Sequence, residues 1–170
     1  RNCRISMANK DLVYRKVSSP EDILGHNAVR WDVFVTEQGV APVLEIDARD
    51  FAPSTVHIVA VNNDGEVIGA ARLLPDTQGE PGASKTFHVG RVAVRPRWRG
   101  KGVGEGIMRF AGAVAEESGY RGEAVELVLD AQVDAEGFYR RLGYEPTDRK
   151  PFFDAGILHQ EMAKTTWGTR

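Results

Sequence analysis

The stretch VAVRPRWRGKGVGEG, residues 92–106, decides how this chain folds and frames what it does. An apolar, β-branched run stops near Pro96. Four cations follow at alternate positions (Arg95, Arg97, Arg99, Lys101), and glycines recur at 100, 102, 104 and 106 before a helix-forming sequence. The pattern reads as strand, tight turn, helix. Glycine admits positive φ and lets a ligand approach the main chain without meeting a Cβ. Amides at a helix start lack acceptors and carry the positive end of the helix dipole. The combination suits a phosphate or pyrophosphate; the plain alternative for such a charge run is a solvated basic loop. Two familiar phosphate motifs are excluded. A Walker A loop needs Ser or Thr where Gly102 follows Lys101, and glycine where Arg95 stands. A dinucleotide G-x-G-x-x-G needs glycine where Glu105 or Ile107 stands.

The rest of the chain bounds the reading. The formal net charge is −2, so any anion site is local rather than a property of the whole surface. Only Trp98 interleaves with the cations and no wider basic stripe exists, so no nucleic-acid partner is expected. Cys3 is the single cysteine, which rules out an intrachain disulfide and suits a reducing, cytoplasmic setting. No apolar run approaches the roughly 20 residues of a membrane-spanning helix, and the first residues lack a signal-peptide centre. No membrane partner is expected, and the oligomeric state stays open between monomer and homodimer. With Met7 a candidate start, residues 1–9 are expected to be a flexible segment, 10–165 one domain and 166–170 a tail.

Outward from the glycine turn, the periodicities give an element order β-α-β-β-β-α-β-α-β. Residues 11–18 alternate as a strand. Ser19, Pro20, Glu21 and Asp22 then open an amphipathic helix that breaks near Gly39 and Pro42. Residues 41–54 read as loop, and Asp64-Gly65 marks a hairpin between two strand-like runs. Residues 76–85 read as loop and 86–94 as a strong strand. After the glycine turn come a helix closed by Gly119, a short strand at 124–131, a short helix with Asp134 as cap, and a last strand near 156–164.

On these residues the chain resembles the GNAT superfamily of N-acetyltransferases. Arg99, Gly102 and Gly104 meet its R/Q-x-x-G-x-G/A signature, after the V-x-P element of Val94-Arg95-Pro96. Ala135, Tyr139, Gly143 and Tyr144 stand in register with its A-x-x-x-Y-x-x-x-G-F/Y element. FVTEQGV, EID, RLLP, GRVAV, DAQ and DAGILHQEM are similar to the ElaA-like branch, with Gln132 where many superfamily members carry Asn. The resemblance implies the GNAT-type α/β fold: one domain with a mixed, mostly antiparallel central sheet flanked by helices. It also implies acetyl-CoA as acyl donor, an amine acceptor and no metal.

Acyl transfer from a thioester to an amine requires a deprotonated amine, a stabilised carbonyl oxygen and a protonated or solvated thiolate. The resemblance assigns the oxygen to backbone N–H groups of Val92, Ala93 and Val94, chiefly Val94. It assigns the pyrophosphate to the main chain of Arg99, Gly100, Lys101, Gly102, Val103 and Gly104, with Gln132 and Tyr139 also at the donor. Tyr139 is the expected proton donor to the thiolate, against a plain reading as a core aromatic beside Phe138. His88 is a candidate base, since an imidazole titrates near neutrality; Glu37, Glu45, Asp47 and a water chain are rivals. Glu37, Gln38, Glu45 and Asp47 are also candidates for holding a cationic acceptor. His159 reads as a hydrogen-bonding residue of the last strand. A CoA-binding sensor with little turnover is the alternative from a different functional class.

Overall fold

A computed structural model describes residues 11–76 and 85–170. The expected flexible segment at 1–9, Met7 and Cys3, and most of the expected loop at 76–85, lie outside the described residues. In hydrogen-bonding order the strands run β1-β2-β3-β4-β5-β8-β6, with β7 paired to β8. The chain gathers into two compact units, one holding residues up to Leu73 with Arg91–Ala111, the other Leu74–Gly90 with Gly112–Arg170.

The first unit begins with β1 (Val13–Lys16) and α1 (Pro20–Arg30). The Asp22 N–H donates to Ser19 Oγ (3.1 Å), so the expected cap is made, and the Asp22 carboxylate takes Arg15 at 2.7 Å. The helix does not stay regular to Gly39. Trp31–Glu37 widens into a π-turn, and Gly39, at φ +72°, ends it. The stretch expected as loop contains a four-residue helix, α2 (Pro42–Glu45), and a 3₁₀ turn, Ala48–Phe51. Both are too short to leave a period in the sequence.

β2 (Val56–Val61) and β3 (Val67–Pro75) form the expected hairpin; Asn62 Oδ1 accepts the N–H groups of Asp64 and Glu66, and Gly65 takes φ +79°. Val59, Val61, Val67 and Ala70 pack with Val29 and Val33 into one apolar core that also holds Ala93. α3 (Val103–Ser118) starts in this unit and buries Val103, Ile107, Met108, Phe110 and Ala111 at helical spacing. Gly106 turns out to serve packing: a Cβ there would lie 2.2 Å from Tyr14 Oη.

In the second unit the first half of β4 (Lys85–Val94) pairs in parallel with β5 (Ala124–Gln132), from Lys85↔Val125 to Val89↔Leu129. β5 then pairs antiparallel with β8 (Ile157–Trp167) from Ala124↔Trp167 to Gln132↔His159. Val125, Leu127, Leu129 and Ala131 are buried in strict alternation. Two elements are additional to the sequence reading, β6 (Glu145–Pro146) and β7 (Phe152–Asp154), both paired to β8 and too brief to show alternation. Asp134 does not cap α4 (Glu136–Arg141). It lies inside a 3₁₀ turn, Val133–Ala135, and the helix starts without a side-chain cap. The last residues are tied down rather than trailing: β8 runs to Trp167, and the N–H groups of Thr169 and Arg170 donate to Glu116 and Gly119 carbonyls.

Candidate active site

The two ends of the glycine turn are built differently. β4 ends at Val94, Pro96–Trp98 makes one 3₁₀ turn, and Gly100 and Gly102 take φ +73° and +80° with open space where a Cβ would stand. The Gly106 N–H bonds the Gly102 carbonyl at 3.0 Å, so the α3 ladder begins there and the amides before it have no intrahelical acceptor. Left-handed glycines, open space and the first turn of a sixteen-residue helix coincide at residues 100–104.

Carboxylates of the π-turn hold the neighbouring cations. A π-turn bonds residue i to i+5, which stacks residues five apart, so Asp32 and Glu37 share one side of Trp31–Glu37. Asp32 pairs with Arg95, whose Nε also donates to the Val67 carbonyl. Glu37 takes Arg99 through both oxygens, 2.6 Å at Oε2, and Arg99 Nε donates to the Val94 carbonyl at 3.0 Å. The Arg99 hydrogen bond holds the Glu37 carboxyl below its ordinary value. Lys101 stands 5.3 Å over the Trp98 ring, and Arg97 is exposed. The alternation of charge in sequence therefore separates into distinct partners.

Val92, Ala93 and Val94 close β4, with Ala93 buried. The Arg95 N–H donates to the Ile68 carbonyl on β3 (2.9 Å); since successive strand amides alternate in direction, the Val94 N–H points away from β3. The parallel pairing of β4 with β5 stops at Val89↔Leu129.

Glu45 and Asp47 belong to a buried ionic network rather than an open acidic patch. Arg30, 1% exposed, bonds Glu45 at 2.7 Å and Asp50 at 2.7 Å. Arg72 bonds Asp47 at 2.8 Å and Asp50 at 3.1 Å, and Arg49 takes Asp47 at 2.9 Å. The Arg72 hydrogen bond holds the Asp47 carboxyl far below its usual range. At Asp50 burial opposes the charge, and the bonds from Arg30 and the Asp47 amide prevail, bringing it to about 2. With these partners, both candidate acceptor carboxylates of this segment are committed to arginines. Gln38 follows the π-turn and caps its end. The sequence reading passed over Arg30, Arg72, Arg91 and Asp50; the available signal was an arginine inside an apolar helix face or strand, as in AARLL and GRVAV.

The second unit carries His88, Gln132 and Tyr139. His88 is exposed on β4 and pairs with Val128. Paired and alternate residues share a face, which puts His88, Asp130, Gln132, His159 and Glu161 on one side of this ladder. Burial raises the Asp130 carboxyl, Arg149 opposes it, and His88 and His159 also act on it. Asp130 is a fifth residue missed in the sequence, where it reads only as the end of a strand. Gln132 ends β5. His159 bonds the Ile157 carbonyl through Nδ1 (2.7 Å) and stacks on Phe152. Tyr139 meets Phe138 and Tyr144 edge-on, at 5.0 and 6.1 Å between ring centres, and burial pushes its phenol up to about 12. Among the described residues no cluster of His, Cys, Asp or Glu is arranged to hold a metal ion, and no helix is long and apolar enough to cross a membrane.

A mixed, mostly antiparallel sheet with helices, and a strand that enters a helix through left-handed glycines, agree with the GNAT-type α/β fold that the resemblance implies. Residues 26–166 match the family model described as an acetyltransferase (GNAT) domain, a match that runs through both units. The chain belongs to this family, and it is an acyltransferase. It is 36% identical over 138 residues to the Bacillus subtilis protein YjcF, described as an uncharacterized N-acetyltransferase, covering 80% of this chain and 87% of that one. Among solved structures, Escherichia coli ElaA superposes with a TM-score of 0.71 at 25% identity, covering 90% of this chain and 99% of ElaA. An acyl-CoA N-acyltransferase from Pseudomonas aeruginosa superposes with a TM-score of 0.71 at 27% identity, covering 91% and 98%. The recognised branch and fold class hold.

Proposed function

We propose that the chain is an acetyl-CoA-dependent N-acetyltransferase that passes the acetyl group to a primary amine by direct attack on the thioester. The observation that carries the reading is the open turn at Gly100 and Gly102, whose left-handed backbone leads into the unpaired first-turn amides of α3. The main chain of residues 99–104 receives the pyrophosphate. Arg99 and Lys101 supply the flanking positive charge. Arg99 reaches it by exchanging an exposed carboxylate, Glu37, for phosphate, an exchange between two anions with little change in buried charge.

The Val94 N–H, pointing away from β3, takes the thioester oxygen as it gains charge; one well-placed donor of this kind contributes on the order of 10²–10³ in rate. Val92 and Ala93 hold that strand end in place, and Gln132 contacts the donor from the end of β5. Tyr139 protonates the departing thiolate. With its phenol near 12 it stays protonated throughout the neutral range, as a general acid must before the step. His88, with Asp130 on the same face, accepts the ammonium proton. Gln38 lies beside Glu37 at the end of the π-turn and contributes polar contacts to the acceptor; Glu37, Glu45 and Asp47 act through their arginines. The likeness to YjcF, described as an N-acetyltransferase, and to the Pseudomonas aeruginosa acyl-CoA N-acyltransferase supports the donor chemistry and leaves the amine unassigned.

The test is thiol release from acetyl-CoA across an amine panel. Wild type releases thiol with at least one amine. Tyr139→Phe lowers kcat by on the order of 10²-fold while acetyl-CoA affinity stays within a factor of two. Equal loss of affinity and rate in that variant removes Tyr139 from the proton step.

A further inference from the structure

Arg91 is a non-glycine residue at φ +53°, a left-handed conformation that is strained for an L-residue. Gly90 precedes it, so the chain keeps a strained arginine where a second glycine would turn freely. The guanidinium accounts for it. Arg91 Nε donates to the Glu45 carbonyl (3.2 Å), and Nη2 donates to the carbonyls of Leu44 (3.1 Å) and Glu45 (3.1 Å). These carbonyls close α2, where a helix leaves its acceptors unpaired and partly negative. Arg30 Nη2 reaches the same Glu45 carbonyl at 2.8 Å, and the Glu45 carboxylate stands 3.3 Å from Arg91 Nε. Asp47 Oδ2 lies 3.7 Å from Nη2. One side chain thus fastens the end of α2 to the residue immediately before Val92, three residues ahead of the Val94 amide.

We infer that Arg91 is a positioning residue for acyl transfer: its left-handed turn, clamped to the α2 carbonyls and the Arg30–Glu45 pair, aims the Val94 N–H at the thioester oxygen. The inference rests on the reading of Val94 given above. Its consequence is that the buried network of Arg30, Glu45, Asp47, Asp50 and Arg72 supports the reacting strand through Arg91. Strain at residue 91 is offset by three hydrogen bonds and two ion pairs, and the strand end is held with less freedom than a glycine would leave it.

The direct test is the carbonyl stretch of ¹³C-labelled acetyl-CoA bound to wild type, Arg91→Gly and Arg91→Lys, read by isotope-edited infrared spectroscopy alongside calorimetric affinity. In wild type the band is narrow and shifted to lower frequency than in free acetyl-CoA. In Arg91→Gly, which adopts the same φ without strain, the band returns toward the free position and broadens, while affinity stays within about threefold because the glycine turn is untouched. Arg91→Lys keeps the positive charge beside Glu45 and is the conservative variant. Its single ammonium cannot span both carbonyls, so it also loses most of the shift. A shifted wild-type band that both variants retain overturns the role of Arg91 alone. An unshifted band in wild type with acetyl-CoA bound overturns the Val94 reading, and this inference with it.

Discussion

Two arginine-rich regions of the first unit use the same chemistry to opposite ends. In the glycine turn, Arg95 and Arg99 pair with the exposed carboxylates of Asp32 and Glu37, where water and salt screen the attraction and the partner is exchangeable. In the α2 segment, Arg30 and Arg72 are nearly fully buried and each bonds two acidic residues. Burying such charges is unfavourable unless every one is met, and once met, removing one leaves the others stranded. The comparison teaches that the first region pairs its arginines where a partner can be exchanged, as the proposed anion turn requires, and the second pairs them where they hold still.

The sharpest way to break the contrast is Arg30→Ala. It takes from Glu45 and Asp50 their shortest ion pairs, leaving Glu45 only Arg91 and Asp50 only Arg72, and is expected to lower unfolding free energy by about 3–5 kcal/mol, read from urea denaturation. An effect under about 1 kcal/mol would place this network with the surface pairs. The locked region also predicts an acid response. The His26 Nε2–H donates to the Ala71 carbonyl (2.9 Å), its ring meets His57 edge-on, and burial brings its pKa down to about 4. Because the folded value is depressed, the unfolded chain takes the proton first. Stability is therefore full above pH 6.5 and falls as pH drops toward about 4, by about 3 kcal/mol. His26→Gln flattens that slope; an unchanged slope assigns it to other groups.

The exchangeable region makes two smaller predictions. Acetyl-CoA at a hundred times its Kd stabilises wild type by about 2.7 kcal/mol, and Gly102→Glu abolishes the resulting rise in Tm because a carboxylate and a positive-φ penalty enter the anion turn. An intact rise removes the pyrophosphate from this turn. Glu37→Gln changes stability by less than about 1 kcal/mol and tightens acetyl-CoA binding a few-fold at low salt, the gain fading as salt rises. Weaker binding in that variant would show that Glu37 orients Arg99 rather than competing with phosphate.

Legibility followed length and periodicity. The Ser19 cap, the Asp64-Gly65 hairpin, β4 and α3 were readable because each leaves a local signature several residues long. α2, β6 and β7 were not, having four residues or fewer and taking their shape from hydrogen bonds to distant chain. The π-turn reads as plain helix in the sequence because seven residues are too few for a change of period to show. Gly106 belonged by pattern to the anion turn, and only Tyr14 shows that it makes room for a ring. Glu45 and Asp47 looked like solvated acids available to a cation, since sequence carries no record of which arginine lies 2.7 or 2.8 Å away.

By itself, then, the sequence determined the strand–glycine turn–helix unit and the family it belongs to, because backbone geometry at residues 92–108 follows from local residue types. Tertiary structure alone decided which charges are free to act. Arg95 and Arg99 hold exposed, exchangeable partners, whereas Arg30, Arg72 and Arg91 are fastened to α2 and the carboxylates around it. That difference depends on burial and on contacts between residues dozens of positions apart, which no local pattern encodes.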